Sequence, residues 1–169
     1  MSSPPSFDAE LAAVWPRLRR FAHALARNPA DADDLAQMAA EKAFKSFNQF
    51  QPGTRFDSWL FRICRTSWID MVRSRSRRAA HESPEEYAET VGYDPTHATE
   101  AAIDLATAQA AMQRLPEEQR EVVALILIEG FGYRESAEIL GQPIGTVSSR
   151  LARGRQALLA MLGEGGQDD

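Results

Sequence analysis

Two stretches of this sequence carry side chains whose types and spacing suit contact with a polyanion. In "FDSWLFRICRTSWIDMVRSRSRR", residues 56–78, aromatic and basic groups alternate along one helical pattern. From Arg62 to Arg78 there are six arginines (62, 65, 73, 75, 77 and 78) against one acid, Asp70, so the local charge is strongly positive. Arginines neutralise phosphates and aromatic faces stack on unpaired bases, a combination better suited to single-stranded or melting DNA than to intact duplex. The plainer reading makes Trp59, Phe61 and Trp68 core residues and the arginines a solvated face. Most of those aromatics are expected in the core, but the run Arg73 to Arg78 is harder to assign to solvent alone.

The second stretch, "GYRESAEILGQPIGTVSSRLARGRQALLAML", residues 132–162, is two helical patterns broken at Gly141-Gln142-Pro143. A DNA-binding helix-turn-helix needs a small residue where its helices cross, a glycine for the left-handed turn and an apolar anchor on the second helix. Ala137, Gly141 and Val147 supply these, and Ile139, Leu140, Ile144 and Leu151 are expected on the core side. Pro143 suits a first helical turn, where its missing N–H has no partner in any case. The second helix then offers Thr146, Ser148, Ser149, Arg150 and Arg153 near its start, the part of such a helix that meets base edges in the major groove. Arginine holds guanine bidentately, and serine hydroxyls address bases or phosphates. The alternative is a helical hairpin with a solvated basic face; two arginines and two serines at the reading end favour DNA.

The elements that must position these residues read as helices almost throughout. A chain of 169 residues forms one ordinary domain or two small ones, and 44% hydrophobic with 25% charged residues is ordinary for a packed soluble protein. The formal net charge of −5 argues weakly against nucleic acid, but it averages the basic stripe with an acidic one. Residues 79–104 hold seven acids and no Lys or Arg, and a polyanion responds to local charge. Apolar spacing predicts helices over Phe7–Arg27, bent or beginning at Pro16, then Asp31–Phe47, and Phe56 to about Arg75. Asn28-Pro29 reads as a turn and Asn48–Thr54, with Pro52-Gly53, as a loop. After a linker the pattern resumes over Ile103–Leu115, Glu117–Glu129 and the two helices of 132–162. The expectation is an all-α chain of two small helical domains, 1–78 and 101–162, joined by an acidic flexible linker, 79–100, and followed by a disordered tail, 163–169.

No apolar run approaches the roughly 18 residues needed to span a bilayer, and Met1 to Phe7 lacks the regions of a signal peptide, so a cytoplasmic protein without membrane insertion is expected. One cysteine, Cys64, excludes an intrachain disulfide framework. His23, His81 and His97 are scattered, and no His/Cys pair has metal-ligand spacing. The acids of the linker have nothing to fix a catalytic geometry. Neither an enzyme nor a metal or cofactor site is expected.

Three blocks in order, "DADDLAQMAAEKAFKSFNQF", "RFDSWLFRICRTSWIDMVRSRSRR" and "LPEEQREVVALILIEGFGYRESAEILGQPIGTVSSRLARGRQAL", resemble the extracytoplasmic-function sigma factors, the compact two-domain bacterial class. The resemblance covers about Phe7 to Leu162 and implies specific roles. The Asp31–Phe47 helix, through Asp34, Leu35, Gln37 and Lys42, would dock on RNA polymerase core at the β′ clamp helices, with the β subunit as a further contact. The Asn48–Thr54 loop would cup a base flipped from the −10 element, with Asn48, Arg62, Arg65, Thr66, Ile69, Arg73 and Arg77 along the melted strand; unstacking a base costs a few kcal/mol, which a preformed pocket offsets. The second domain would read the −35 element through Thr146, Ser148, Ser149, Arg150, Ala152 and Arg153, with Tyr133 and Arg134 on the backbone. Family members often carry asparagine at the place of Thr66 and a basic residue at the place of Ser148, so Ser149 and Arg153 are expected to carry most of the direct −35 readout. An anti-sigma factor is implied as a partner, in a stress or envelope response. Two rival functions are a sigma-like mimic that sequesters an anti-sigma factor and a helix-turn-helix repressor. The mimic should lack arginines 73–78, and the repressor leaves the basic-aromatic helix unexplained.

Overall fold

The computed structural model describes residues 6–81 and 100–164. The linker segment 82–99 and the tail from 165 onward lie outside the described residues, as do the expectations placed on them. Among the described residues every regular element is helical, and the chain divides into two compact units.

In the first unit, Ser6 caps α1 (Phe7–Leu25) by accepting the Ala9 N–H at 3.3 Å. Val14, Leu18, Phe21, Ala22 and Leu25 form its buried stripe. Pro16 was expected to bend or start this helix, but α1 runs through it. Pro16 and Ala12, whose carbonyl loses its helical partner, both face solvent, so water can satisfy the carbonyl while packing on either side holds the helix.

The second helix, α2 (Pro29–Lys45), begins two residues earlier than the spacing of its acids suggested. Asn28 is its cap, accepting the Asp31 N–H at 2.8 Å, and Pro29 occupies the first turn. Ala32, Leu35, Ala36, Ala39 and Ala43 are its buried residues; four of the five are alanine, which lets α2 pack closely on both α1 and α3. A 3₁₀ turn, Phe47–Gln49, leads to a tight loop in which the Thr54 hydroxyl donates to the Gln51 carbonyl at 2.7 Å. Gly53 adopts φ +89° there, a conformation that a side chain would strain. Then α3 (Phe56–Ala79) buries Phe56, Leu60, Phe61, Cys64, Ser67 and Trp68, and continues four residues past the expected end.

In the second unit, α4 (Glu100–Arg114) ends before Pro116, which opens α5 (Glu117–Val123). The expected single helix over 117–129 instead changes register: Ala124–Ile128 is a π turn, closed by Glu129 N–H on the Ala124 carbonyl at 2.9 Å. The shift buries Phe131 and leaves Leu127 and Ile128 exposed. Next, α6 (Tyr133–Leu140) ends at Gly141, with φ +62°, and α7 (Ile144–Glu164) follows. Gly163 therefore lies in α7 and not in the tail. Both α4 and α5 pack on α7.

Candidate nucleic-acid interface

Arg62, Thr66, Asp70, Arg73 and Arg77 are all exposed on α3 at intervals of three or four, which places them in one line along the helix. Each step of four residues advances roughly 6 Å along the axis. The Thr66 hydroxyl donates to the Arg62 carbonyl at 2.9 Å, so its proton is engaged and its oxygen keeps only acceptor capacity, at an exposed position. Arg65 and Ile69 flank this ridge, half-buried. Asp70 is its one acid, and Lys42 of α2 answers it at 3.4 Å. Arg75 points elsewhere, onto Asp31 of α2. The Arg75 hydrogen bond holds the Asp31 carboxyl below its ordinary range, with Asn28 helping, against the opposing effect of burial. The run Arg73–Arg78 thus divides into a clasp to α2 and an outward basic ridge.

The helix aromatics are mainly core, as expected. Phe61 stacks on Phe21 at 5.0 Å beneath the Arg17 guanidinium, Trp68 is buried, and Trp59 is half-buried. A different aromatic group frames the loop. Phe47 and Phe50 stack at 5.7 Å, Phe50 meets Phe56 edge-on at 5.6 Å and lies tilted against Trp59 at 5.2 Å, and Phe7 sits edge-on to Phe44, Phe47 and Phe56. Asn48 is exposed within this frame. Spacing did not reveal the cluster, because its members come from α1, α2, the loop and α3.

Asp57, in the first turn of α3, anchors the same corner. It is buried and accepts from Arg17 at 2.9 Å, Arg55 at 2.7 Å and the Ser58 amide at 2.9 Å. Burial alone would raise its pKa, but Arg55, Arg17 and the Ser58 amide outweigh it and hold the carboxyl below its ordinary value. An acid at a helix start is a legible signal; its partner forty residues away is not.

On α2, Asp34 and Gln37 are exposed three residues apart, and Lys42 is exposed on the same helix. Leu35, expected with them at a docking surface, is instead fully buried among the core residues of the first unit. Its position one residue from Asp34 turns it about 100° around the helix, away from the exposed face and into the core.

In the second unit, Tyr133 and Arg134 are exposed at the start of α6, and Ser148, Ser149, Ala152 and Arg153 are exposed on α7. Thr146 is half-buried, and its carbonyl accepts the Ser149 hydroxyl at 3.1 Å. Arg150, expected to face DNA, is turned inward: it donates to the Gln142 side chain and pairs with Glu118 of α5 at 3.0 Å. Ile144 is half-exposed, not core; Val147 and Leu151 take the buried positions. Gly154, which the sequence reading passed over, lies against α5, where a Cβ would stand 2.7 Å from Val123 Cγ2.

The chain is similar to known proteins over both units. The family model for Sigma-70 region 2 matches residues 12–78, and that for Sigma-70 region 4 matches residues 105–158. The ECF RNA polymerase sigma factor EcfG of Rhodopseudomonas palustris is 38% identical over 162 residues, covering 96% of this chain and 87% of that protein. SigE of Mycolicibacterium smegmatis, also an ECF sigma factor, is 40% identical over 159 residues; the alignment covers 91% of this chain and 60% of SigE. Among solved structures, the sigma factor RpoE from Bartonella quintana, in complex with the anti-sigma factor NepR, matches with a TM-score of 0.83 and 34% identity, over 96% of this chain and 98% of that one.

Proposed function

This chain belongs to the extracytoplasmic-function RNA polymerase sigma factors, and on that footing we propose how its surfaces divide the work of initiation. The family consists of transcription initiation factors, not enzymes, and no helix among the described residues is long and apolar enough to cross a membrane. The first unit docks on core polymerase through the exposed Asp34 and Gln37 of α2 and engages the −10 element through the loop and α3. The second reads the −35 element with α7, chiefly through Ser149 and Arg153, while Tyr133 and Arg134 meet the backbone.

The observation that carries this reading is the α3 ridge beside the aromatic-framed loop. Arg62, Arg73 and Arg77 repeat along one exposed line that can follow a phosphate backbone, and the Thr66 oxygen and Ile69 lie among them to meet bases. The packed rings of Phe47, Phe50 and Trp59 hold the loop in shape before DNA arrives, which reduces the ordering cost of capturing a flipped base. A further part of the proposal is control by an anti-sigma factor, supported by the likeness to RpoE in its complex with NepR.

Run-off transcription with purified bacterial core polymerase, this protein and a pool of stress promoters, combined with permanganate footprinting, tests the proposal. Initiation with reactive thymines near −10 is expected. Binding to neither core nor DNA would turn the reading toward a mimic that sequesters an anti-sigma factor.

A further inference from the structure

We propose that Arg150 is a positioning residue: without touching DNA, it sets the angle and depth at which α7 presents Ser149 and Arg153. The inference rests on the −35 reading of the second unit and deepens it.

Three observations meet at this side chain. The Arg150 guanidinium donates an N–H to the Gln142 carboxamide through Nη1 and forms an ion pair with the Glu118 carboxylate through Nη2 at 3.0 Å, so the two arms of one planar fork tie α7 to the turn and to α5 together. Gln142 is itself part of the device that ends α6. Its N–H closes on the Ala137 carbonyl at 3.0 Å while Gly141 takes φ +62°, the wrap that satisfies the last carbonyls of a helix. One turn further along α7, Gly154 lies so close to α5 that an added Cβ would stand 2.7 Å from Val123 Cγ2 and 3.5 Å from Gln119 Cβ. Residues 150 and 154 therefore hold α7 at two successive points of one face, against Glu118, Gln119 and Val123 of α5. A single contact leaves a helix free to pivot; two contacts one turn apart do not.

The reading residues lie on other faces of the same two turns. Ser149 and Arg153 flank the clamp, one residue before each of its points, and both are exposed. A bidentate contact to a guanine edge needs the guanidinium within a few tenths of an ångström of its place, so a pivot of α7 would blunt selectivity at every base pair it reads. A contact made by Arg150 to a base would instead affect one base pair. A contact to phosphate would affect none, but would add to the salt dependence.

The test uses the full chain assembled with core polymerase. A duplex library randomised across the −35 region is selected with the wild type, and the enrichment of preferred over disfavoured hexamers is compared for Arg150→Gln, Arg150→Lys and the charge-exchanged pair Arg150→Glu with Glu118→Arg. Thermal melting of each variant confirms folding. Arg150→Gln should flatten the preferences about tenfold across all positions, with the slope of log affinity against log salt unchanged. Arg150→Lys, which keeps the charge and loses the fork, should also flatten them. The exchanged pair should restore them, because the Gln142 amide can turn to donate to the new carboxylate. Loss of preference at one base pair only, a salt slope shallower by about one with preferences intact, or failure of the exchanged pair to restore selectivity would each overturn the proposal. Amide hydrogen exchange over residues 141–150 decides the same question without DNA: Arg150→Gln should accelerate it and the exchanged pair should slow it again. If the wild type shows no −35 preference, the reading of the second unit fails, while unchanged exchange in Arg150→Gln overturns the positioning role by itself.

Discussion

At Asp57 a single carboxylate joins three parts of the first unit: Arg17 of α1, Arg55 of the loop and the amide that starts α3. Because its folded-state pKa lies below the ordinary 3.8, it contributes stability that is fully present above that value and is lost as pH falls through the folded one. Asp57→Asn should lower stability at neutral pH by about 2 kcal/mol, the scale of a hydrogen bond to a charged group, and the loss should shrink on acidification. Urea titrations at pH 7 and pH 3 measure both effects. Arg153 is an exposed side chain with a different task. Arg153→Ala should weaken −35-dependent binding by roughly 1–3 kcal/mol and relax selectivity at one base pair. Equal weakening on all DNA would make it a phosphate contact. Cys64 is fully buried and desolvation pushes its thiol up to about 12, so thiol reagents should label it only as the chain unfolds.

Among the elements, α7 and α5 are held at a distance that only glycine permits. Gly154→Ala gains helix propensity of about 1 kcal/mol but forces its Cβ onto Val123, an overpacking cost of roughly 1–3 kcal/mol. The net effect should be a modest loss of stability, with Val123→Ala in the same chain recovering part of it; denaturant melts of the single and double variants decide this. On α2 the two faces separate two functions that sequence proximity confounds. Leu35→Ala should cost roughly 2–5 kcal/mol of stability by opening a cavity in the first unit. Asp34→Ala or Gln37→Ala, on exposed positions, should leave melting unchanged while lowering affinity for core polymerase.

For the whole molecule, the net charge of −5 is the least informative quantity, because the basic ridge of α3 and the acids of 79–104 cancel in the sum. A field that attracts one DNA strand is set by charges within about 10 Å at ordinary salt, so the ridge acts locally whatever the total. Promoter opening should therefore be strongly salt-dependent. Replacing Arg73 and Arg77 with alanine should reduce permanganate reactivity near −10 more than it reduces core binding. A parallel loss of core affinity would mean that α3 meets polymerase and not DNA.

The amino-acid sequence by itself determined whatever depends on local periodicity and on backbone chemistry. It places most of the helices, the turn at Gly141 and the burial of Phe61 and Trp68, because apolar spacing and glycine geometry act within a few residues. Pro143, expected in the first turn of the last helix, stands one residue before it, where its carbonyl accepts the Thr146 and Val147 amides. The three quoted blocks also carry the family, since two domain signatures in order are far more specific than one helix-turn-helix. Tertiary structure alone decided which neighbours share a face and which partners meet. Leu35 is core and Asp34 is not because one residue turns α2 by about 100°. Arg150 faces α5 and the turn, and Arg75 faces Asp31, because their carboxylate and amide partners lie many residues away. The aromatic frame of the loop, the π turn after Val123 and the contact at Gly154 likewise arise where separate segments compete for the same space, and no local pattern records the outcome of that competition.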